Sequence, residues 1–97
     1  MGENTTGKVI LSGHIEVTEN ELEVVLTELP NHMALTQQEE GCLVFKVERC
    51  KDDPCCFSVY EEFESQAAFD KHQTRVKSSY WGEITKNVKR FYSVKQE

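Results

Sequence analysis

Residues 40–72 read EGCLVFKVERCKDDPCCFSVYEEFESQAAFDKH, two strand-like runs that lead directly into a helix ending on a histidine. In the second run Phe57, Val59, Glu61 and Phe63 alternate with Cys56, Ser58, Tyr60 and Glu62, and a period of two places Glu61 among apolar side chains. A carboxylate there must be paired, protonated or working, because burying an isolated charge is too costly. Between the runs, Lys51-Asp52-Asp53-Pro54 is a turn that sends the chain back antiparallel. Cys42 to Arg49, with Leu43, Phe45 and Val47 on one face, therefore pairs with the Glu61 strand as a hairpin. Ser65 caps the helix that follows, whose inward positions are Ala68, Phe69, His72 and Val76.

Outward from this centre, a helical turn around Tyr80, Trp81, Ile84 and Val88 follows Ser78-Ser79, and Arg90 to Lys95 closes the chain as a strand. On the other side, Lys8 to Val17 alternates as a strand, and Gly13 within it marks a bulge, room for a ligand or the close approach of another backbone. Thr18 and Glu21 form a capping box at the start of a helix. Its apolar stripe, Leu22, Val25, Leu26, Leu29 and Met33, keeps helical phase across Pro30, which predicts one kinked helix or two abutting segments ending near Gln38, with Gly41 as the stop. The order is β-α-β-β-α-β, an α+β, ferredoxin-like arrangement with an antiparallel sheet. Both faces of its strands carry apolar residues (Ile10 and Leu11, Val44 and Phe45, Tyr60 and Val59), so a homodimer packed sheet to sheet, a dimeric α/β barrel, is the expected way to cover the second face.

A chain of 97 residues is expected to form one domain, residues 1–97 with a core from about 8 to 95. At this size roughly 60–65% of the unfolded surface is buried, a thin core that a second subunit would supplement. The net charge of -6 argues against nucleic acid or an anionic membrane as partner. No apolar run is long enough for a membrane span, and MGENTTGK lacks the apolar core of a secretory signal, so the expected location is cytoplasmic. Met1-Gly2 with Thr6 fits a myristoylation pattern formally, but without a polybasic stretch chance is the better account. Cys42, Cys50, Cys55 and Cys56 contain no C-x-x-C pair and are read as reduced thiols rather than a metal or redox site.

Three fragments, His32-x-x-x-Thr36-x-x-Glu39-Glu40-Gly41-Cys42-Leu43-x-Phe45, then Val59-Tyr60-Glu61-x-Phe63-x-Ser65-x-x-Ala68-Phe69-x-x-His72, then Arg90-x-Tyr92, together resemble the antibiotic biosynthesis monooxygenase (ABM) domains, including the small quinol monooxygenase-like proteins. The resemblance spans about residues 8–95. It implies a dimeric ferredoxin-like protein and oxygenation of a phenolic or quinol-type aromatic by O2 with no metal, flavin or haem cofactor. Relatives with other chemistry exist, so the fold alone does not select a reaction.

Such chemistry needs a base and an apolar pocket, because a phenol must lose its proton before it gives an electron to triplet oxygen. His72 is the candidate base, with an imidazole that accepts protons near neutrality, and Glu61 is the candidate partner that orients it or holds its charged form. On that reading Glu61→Gln moves the acidic limb of the activity profile to lower pH. His32 and Thr36, one helical turn apart, are candidate substrate contacts, and Phe63, Phe69 and Trp81 are candidate pocket walls. A core or interface role suits the aromatics equally, as a cap or turn position suits either histidine. Glu39 and Glu40 read as a helix end in water, and Arg90 as a partner for an acid across the sheet or interface. Three rival functions stand beside the monooxygenase. One is an isomerase acting on a small carbonyl compound; another is a non-catalytic metabolite-binding dimer. The third, a haem-degrading monooxygenase, lacks the histidine it would need in Lys77-Ser78-Ser79-Tyr80-Trp81-Gly82.

Overall fold

A computed structural model describes residues 7–97, so the Met1-Gly2 to Thr6 pattern lies outside the described residues. The elements are β1 (Val9–Glu16), α1 (Glu19–Gln37), β2 (Cys42–Arg49), β3 (Cys56–Phe63), α2 (Gln66–Lys77), α3 (Tyr80–Ile84) and β4 (Lys89–Gln96). The strands form one antiparallel sheet in the order β2-β3-β1-β4, and the helices lie on one face of it, giving the ferredoxin-like βαββαβ arrangement. Period-two alternation decides which side chains reach them. Leu11 and Ile15 of β1, Phe45 and Val47 of β2, and Phe57, Val59 and Phe63 of β3 form the core with Val25, Phe69 and Trp81 from the helices. Glu61 sits in that row and is buried with it.

α1 is continuous through Pro30, with the reciprocal Thr18–Glu21 capping box at its start. Its buried positions are Val25, His32 and Thr36, while Leu26 is 38% exposed, so the helix is rotated away from the expected stripe and turns two polar side chains inward. Gly41 adopts φ +90°, and a Cβ there would lie 2.6 Å from the Ala68 Cβ, so the turn after α1 passes close under α2. At Gly13 a Cβ would lie 1.9 Å from the Phe91 carbonyl oxygen, which makes the close approach of β4's backbone the reason for that glycine.

The reading of all four cysteines as reduced thiols is corrected. Cys50 and Cys56 form a disulfide across the mouth of the β2–β3 hairpin, and Cys42 and Cys55 are free. The Lys51–Pro54 turn brings the two Cα atoms to 5.4 Å, inside the range a disulfide spans. Spacing rules framed for metal sites miss a pair that only strand register creates. No helix among the described residues is long and apolar enough to cross a membrane.

Candidate functional site

Between the helices and the inner face of the sheet lies a cavity of about 190 Å³. Each main element gives it a side chain: Ile15 from β1, His32 from α1, Phe45 from β2, Glu61 from β3, His72 and Gln73 from α2, Trp81 from α3, and Arg90 and Tyr92 from β4. Helical spacing on α2 directs Phe69 and His72 to the sheet, and strand alternation directs Glu61 to the helices, so the acid and the imidazole face the same space. His72 Nε2 stands 3.9 Å from Glu61 Oε1, beyond a hydrogen bond.

The other ring nitrogen has a firm partner. His72 Nδ1 lies 2.8 Å from Glu39 Oε1, and because an ionised carboxylate only accepts, the N–H belongs on Nδ1. Glu39 also accepts from Arg75 Nε, and Arg75 Nη2 donates to Thr36 Oγ1 at 2.9 Å. Glu39 therefore does not end a helix in water; it joins α1's C-terminal turn to α2 through two charge-assisted bonds. This fixes the imidazole with Nε2 unprotonated and turned to the cavity. The sequence carried one signal for it: Arg75 follows His72 by three residues, so a cation and an imidazole share one helix face and call for an acid.

The electrostatics follow from burial. Desolvation pushes the Glu61 carboxyl up to about 7, with the Glu39 charge adding to the rise. Burial likewise lowers His72 below the usual imidazole range; the charge and hydrogen bond of Glu39 oppose the drop, while Arg75 deepens it. His32 falls to about 3, through burial first and then the charges of His72 and Arg75, so it is neutral at all ordinary pH. Its ring stacks on Trp81 at 4.5 Å between centroids and 4° between planes. His32 Nδ1 is buried with no hydrogen-bond partner among the described residues, an unusual state for a polar atom beside a cavity.

Of the residues singled out from sequence, His72, Glu61, His32 and Trp81 line the cavity, whereas Thr36, Phe63 and Phe69 do not. Thr36 is fully buried and turned to Arg75. A spacing of four leaves about 40° between side chains on a helix, enough here to separate it from His32. Phe63 and Phe69 pack on each other at 5.7 Å, and Phe63 lies 4.9 Å from the His72 ring, so they form the floor beneath the histidine instead of the cavity wall. Arg90 pairs with no carboxylate among the described residues; it donates to the Thr85 carbonyl at 2.9 Å, to Thr85 Oγ1 at 3.2 Å and to the Val88 carbonyl at 3.3 Å. Tyr92 is a further cavity residue that the sequence reading left without a role. It shares β4's inner face with Arg90 and sits opposite Gly13, where no side chain competes for space.

A sequence profile of the antibiotic biosynthesis monooxygenase family matches residues 9–81. The comparison with curated proteins finds no match. Among solved structures, a Nitrosomonas europaea protein provisionally named an antibiotic biosynthesis monooxygenase is similar at TM-score 0.77 and 14% identity, covering 99% of this chain and 95% of its own. A Bacteroides thetaiotaomicron protein of unknown function is similar at TM-score 0.76 and 15% identity, over 97% of this chain and 100% of its own. A Deinococcus radiodurans protein, also provisionally named for the family, follows at TM-score 0.72 and 19% identity, over 92% and 91% of the two chains. At these identities the structures share the fold, and the profile match over most of the chain carries the assignment: the protein belongs to the antibiotic biosynthesis monooxygenase family.

Proposed function

We propose that this protein is a cofactor-independent monooxygenase for a small phenolic or quinol-type aromatic, with His72 as the catalytic base. The observation that carries the reading is the 2.8 Å contact of His72 Nδ1 with Glu39: a carboxylate there accepts the Nδ1 proton, which leaves the Nε2 lone pair facing the cavity. Nε2 takes the phenolic proton, and the phenolate passes one electron to O2. The resulting radical pair joins as a carbon–oxygen bond, Nε2 returns its proton to the peroxide oxygen, and loss of the ring proton with O–O cleavage releases water and leaves a quinone, so one oxygen atom enters the product and the other leaves as water. His32 and Trp81 stack face to face, and the outer face of that pair suits an aromatic ring. Oxygen uptake on a panel of quinols and phenols tests the proposal. His72→Ala is expected to lower turnover by ~10²-fold or more with the fold intact, the usual scale for a positioned base; full activity in that variant would remove His72 from the chemistry.

A second reading is favoured by one observation, the proximity of a carboxyl raised to about 7 to an unprotonated imidazole nitrogen 3.9 Å away. An acid and a base side by side can enolise a small carbonyl compound with no oxygen at all. Substrate deuterium exchange under anaerobic conditions, with no oxygen uptake in air, would select this isomerase-type activity. Ligand-induced thermal shifts without turnover of either kind would select a binding protein. In each case we propose a homodimer as the working form.

A further inference from the structure

We infer that the ligand of this cavity is a compact single-ring molecule bearing a carboxylate, held at the β4 side by Arg90 and Tyr92 with its hydroxyl end toward His72. The inference rests on the cavity being the ligand site proposed above, and adds size, charge and orientation to it.

Size comes from the space available. A cavity of about 190 Å³ is a little larger than the ~150 Å³ that accommodates a benzene ring and well below the ~300–1,000 Å³ of drug-sized pockets. One ring with a few substituents fits, and a fused three-ring aromatic does not.

Charge comes from Arg90. Arg90 lines the cavity, and the hydrogen bonds its guanidinium makes, to Thr85, Val88 and the Tyr92 hydroxyl, all end on neutral oxygens. No carboxylate among the described residues stands within ion-pair distance of it, and a guanidinium with five N–H donors keeps some of its fork unused. A planar fork of this kind matches a carboxylate better than any neutral group. Tyr92 stands next to it. Burial and the neighbouring Glu61 push its hydroxyl up to about 12 against the charge and hydrogen bond of Arg90, so the phenol accepts from Arg90 and keeps its own proton to donate to the same anion.

Orientation follows from the opposite end. At the His72 end a ligand carboxylate would meet both Glu61 and Glu39, the latter directly behind the histidine, whereas at the β4 end Glu61 is the one carboxyl near Tyr92 among the described residues and Arg90 offsets it. The anion belongs at Arg90, and the group that surrenders a proton belongs at Nε2.

The test is binding, measured by calorimetry under anaerobic conditions so that the absence of oxygenation cannot affect the outcome. The probes are 2,5-dihydroxybenzoate, neutral hydroquinone and a three-ring anthrone. The carboxylate is expected to bind wild-type protein about tenfold or more tightly than hydroquinone, and Arg90→Gln should erase that difference by weakening the carboxylate much more than hydroquinone, on the scale of one charge-assisted hydrogen bond. Tyr92→Phe should weaken the carboxylate alone by a smaller factor. Equal affinity of wild-type protein for the charged and neutral rings would overturn the charge assignment without reference to any variant. Anthrone binding as tight as the single rings would overturn the size limit, and no binding of either single ring would overturn the inference as a whole. Oxygen uptake on these same probes, scored separately, bears only on the reaction.

Discussion

Glu39 accepts the Nδ1 proton of His72, so Glu39→Gln keeps an acceptor of similar shape and removes the charge that favours the imidazolium form. Without that anion the imidazole loses its proton at lower pH, and the acidic limb of kcat/KM is expected to move down. The same displacement expected of Glu61→Gln from sequence belongs to Glu39, whose charge and hydrogen bond are the forces that hold the His72 proton. A pH profile of the two variants side by side checks this; movement in Glu61→Gln alone would reverse the assignment. Stability should also depend on pH through two buried groups of opposite sign. Glu61 is raised from 4.5 to about 7, so between those values the native state keeps a proton the unfolded chain has lost, and stability falls as pH rises. His32, lowered from 6.5 to about 3, acts in reverse: below 6.5 the unfolded chain takes up a proton the native state refuses, and stability falls as pH falls. The two effects oppose each other over the shared window from 4.5 to 6.5. Glu61→Gln is expected to stabilise the protein above pH 7, by at most on the order of 3 kcal/mol, and to expose an uncompensated loss on the acid side. Urea titrations across this range measure both, and unchanged stability at alkaline pH would mean that Glu61 is not desolvated.

The β2–β3 hairpin is held by its ladder and by the Cys50–Cys56 disulfide that closes its mouth. Closing so short a loop is worth about 2 kcal/mol by chain entropy, which for a domain of this length corresponds to a fall in Tm of roughly 10 °C on reduction. Alkylation without reductant should label the two free thiols, Cys42 and Cys55, out of the four cysteines in the chain. Labelling of all four in unreduced protein would show the disulfide unformed. The β1–β4 pairing has its own weak point at Gly13, opposite Tyr92. A methyl group there would overlap the Phe91 carbonyl at 1.9 Å, so Gly13→Ala should cost about 2 kcal/mol or more and move the Tyr92 side of the cavity with β4. Thermal unfolding gives the cost, and a loss of under 0.5 kcal/mol, the range of an ordinary surface change, would mean that β4 yields freely.

The helices cover β2, β3 and β1 but leave β4 at an open edge, every residue of it exposed. Tyr92 at 39%, Phe91 at 48%, Val94 at 53% and Leu43 at 53% are large apolar side chains in contact with solvent. A chain this small has little core to offset that exposure. Association into a homodimer over an interface of at least ~1,200 Å² is the expected remedy. Sedimentation at micromolar concentration should give a dimer mass, and a monodisperse monomer would contradict it. Because Tyr92 and Arg90 lie on the same strand, a Val94→Glu substitution that weakens the dimer should also weaken ligand binding if the partner helps to close the cavity mouth.

Local chemistry was enough to read the element order, the capping box, the hairpin and the burial of Glu61, because alternation, helical phase and turn residues are properties of neighbours in the chain. The family resemblance likewise lay in short motifs, and they named His72, Glu61 and His32 before any coordinates. What required tertiary structure was every relationship between elements. Glu39 is 33 residues from His72 in sequence, and only the packing of α1's end against α2 makes it that histidine's partner. Cys50 meets Cys56 through strand register, and a rotation of α1 that its apolar stripe did not specify turns His32 to the cavity and Thr36 to Arg75. Among the described residues Arg90 meets no carboxylate, because β4 sits at the open edge of the sheet. Such facts depend on the relative placement of whole elements, which side-chain packing across the core determines and periodicity within one element cannot encode.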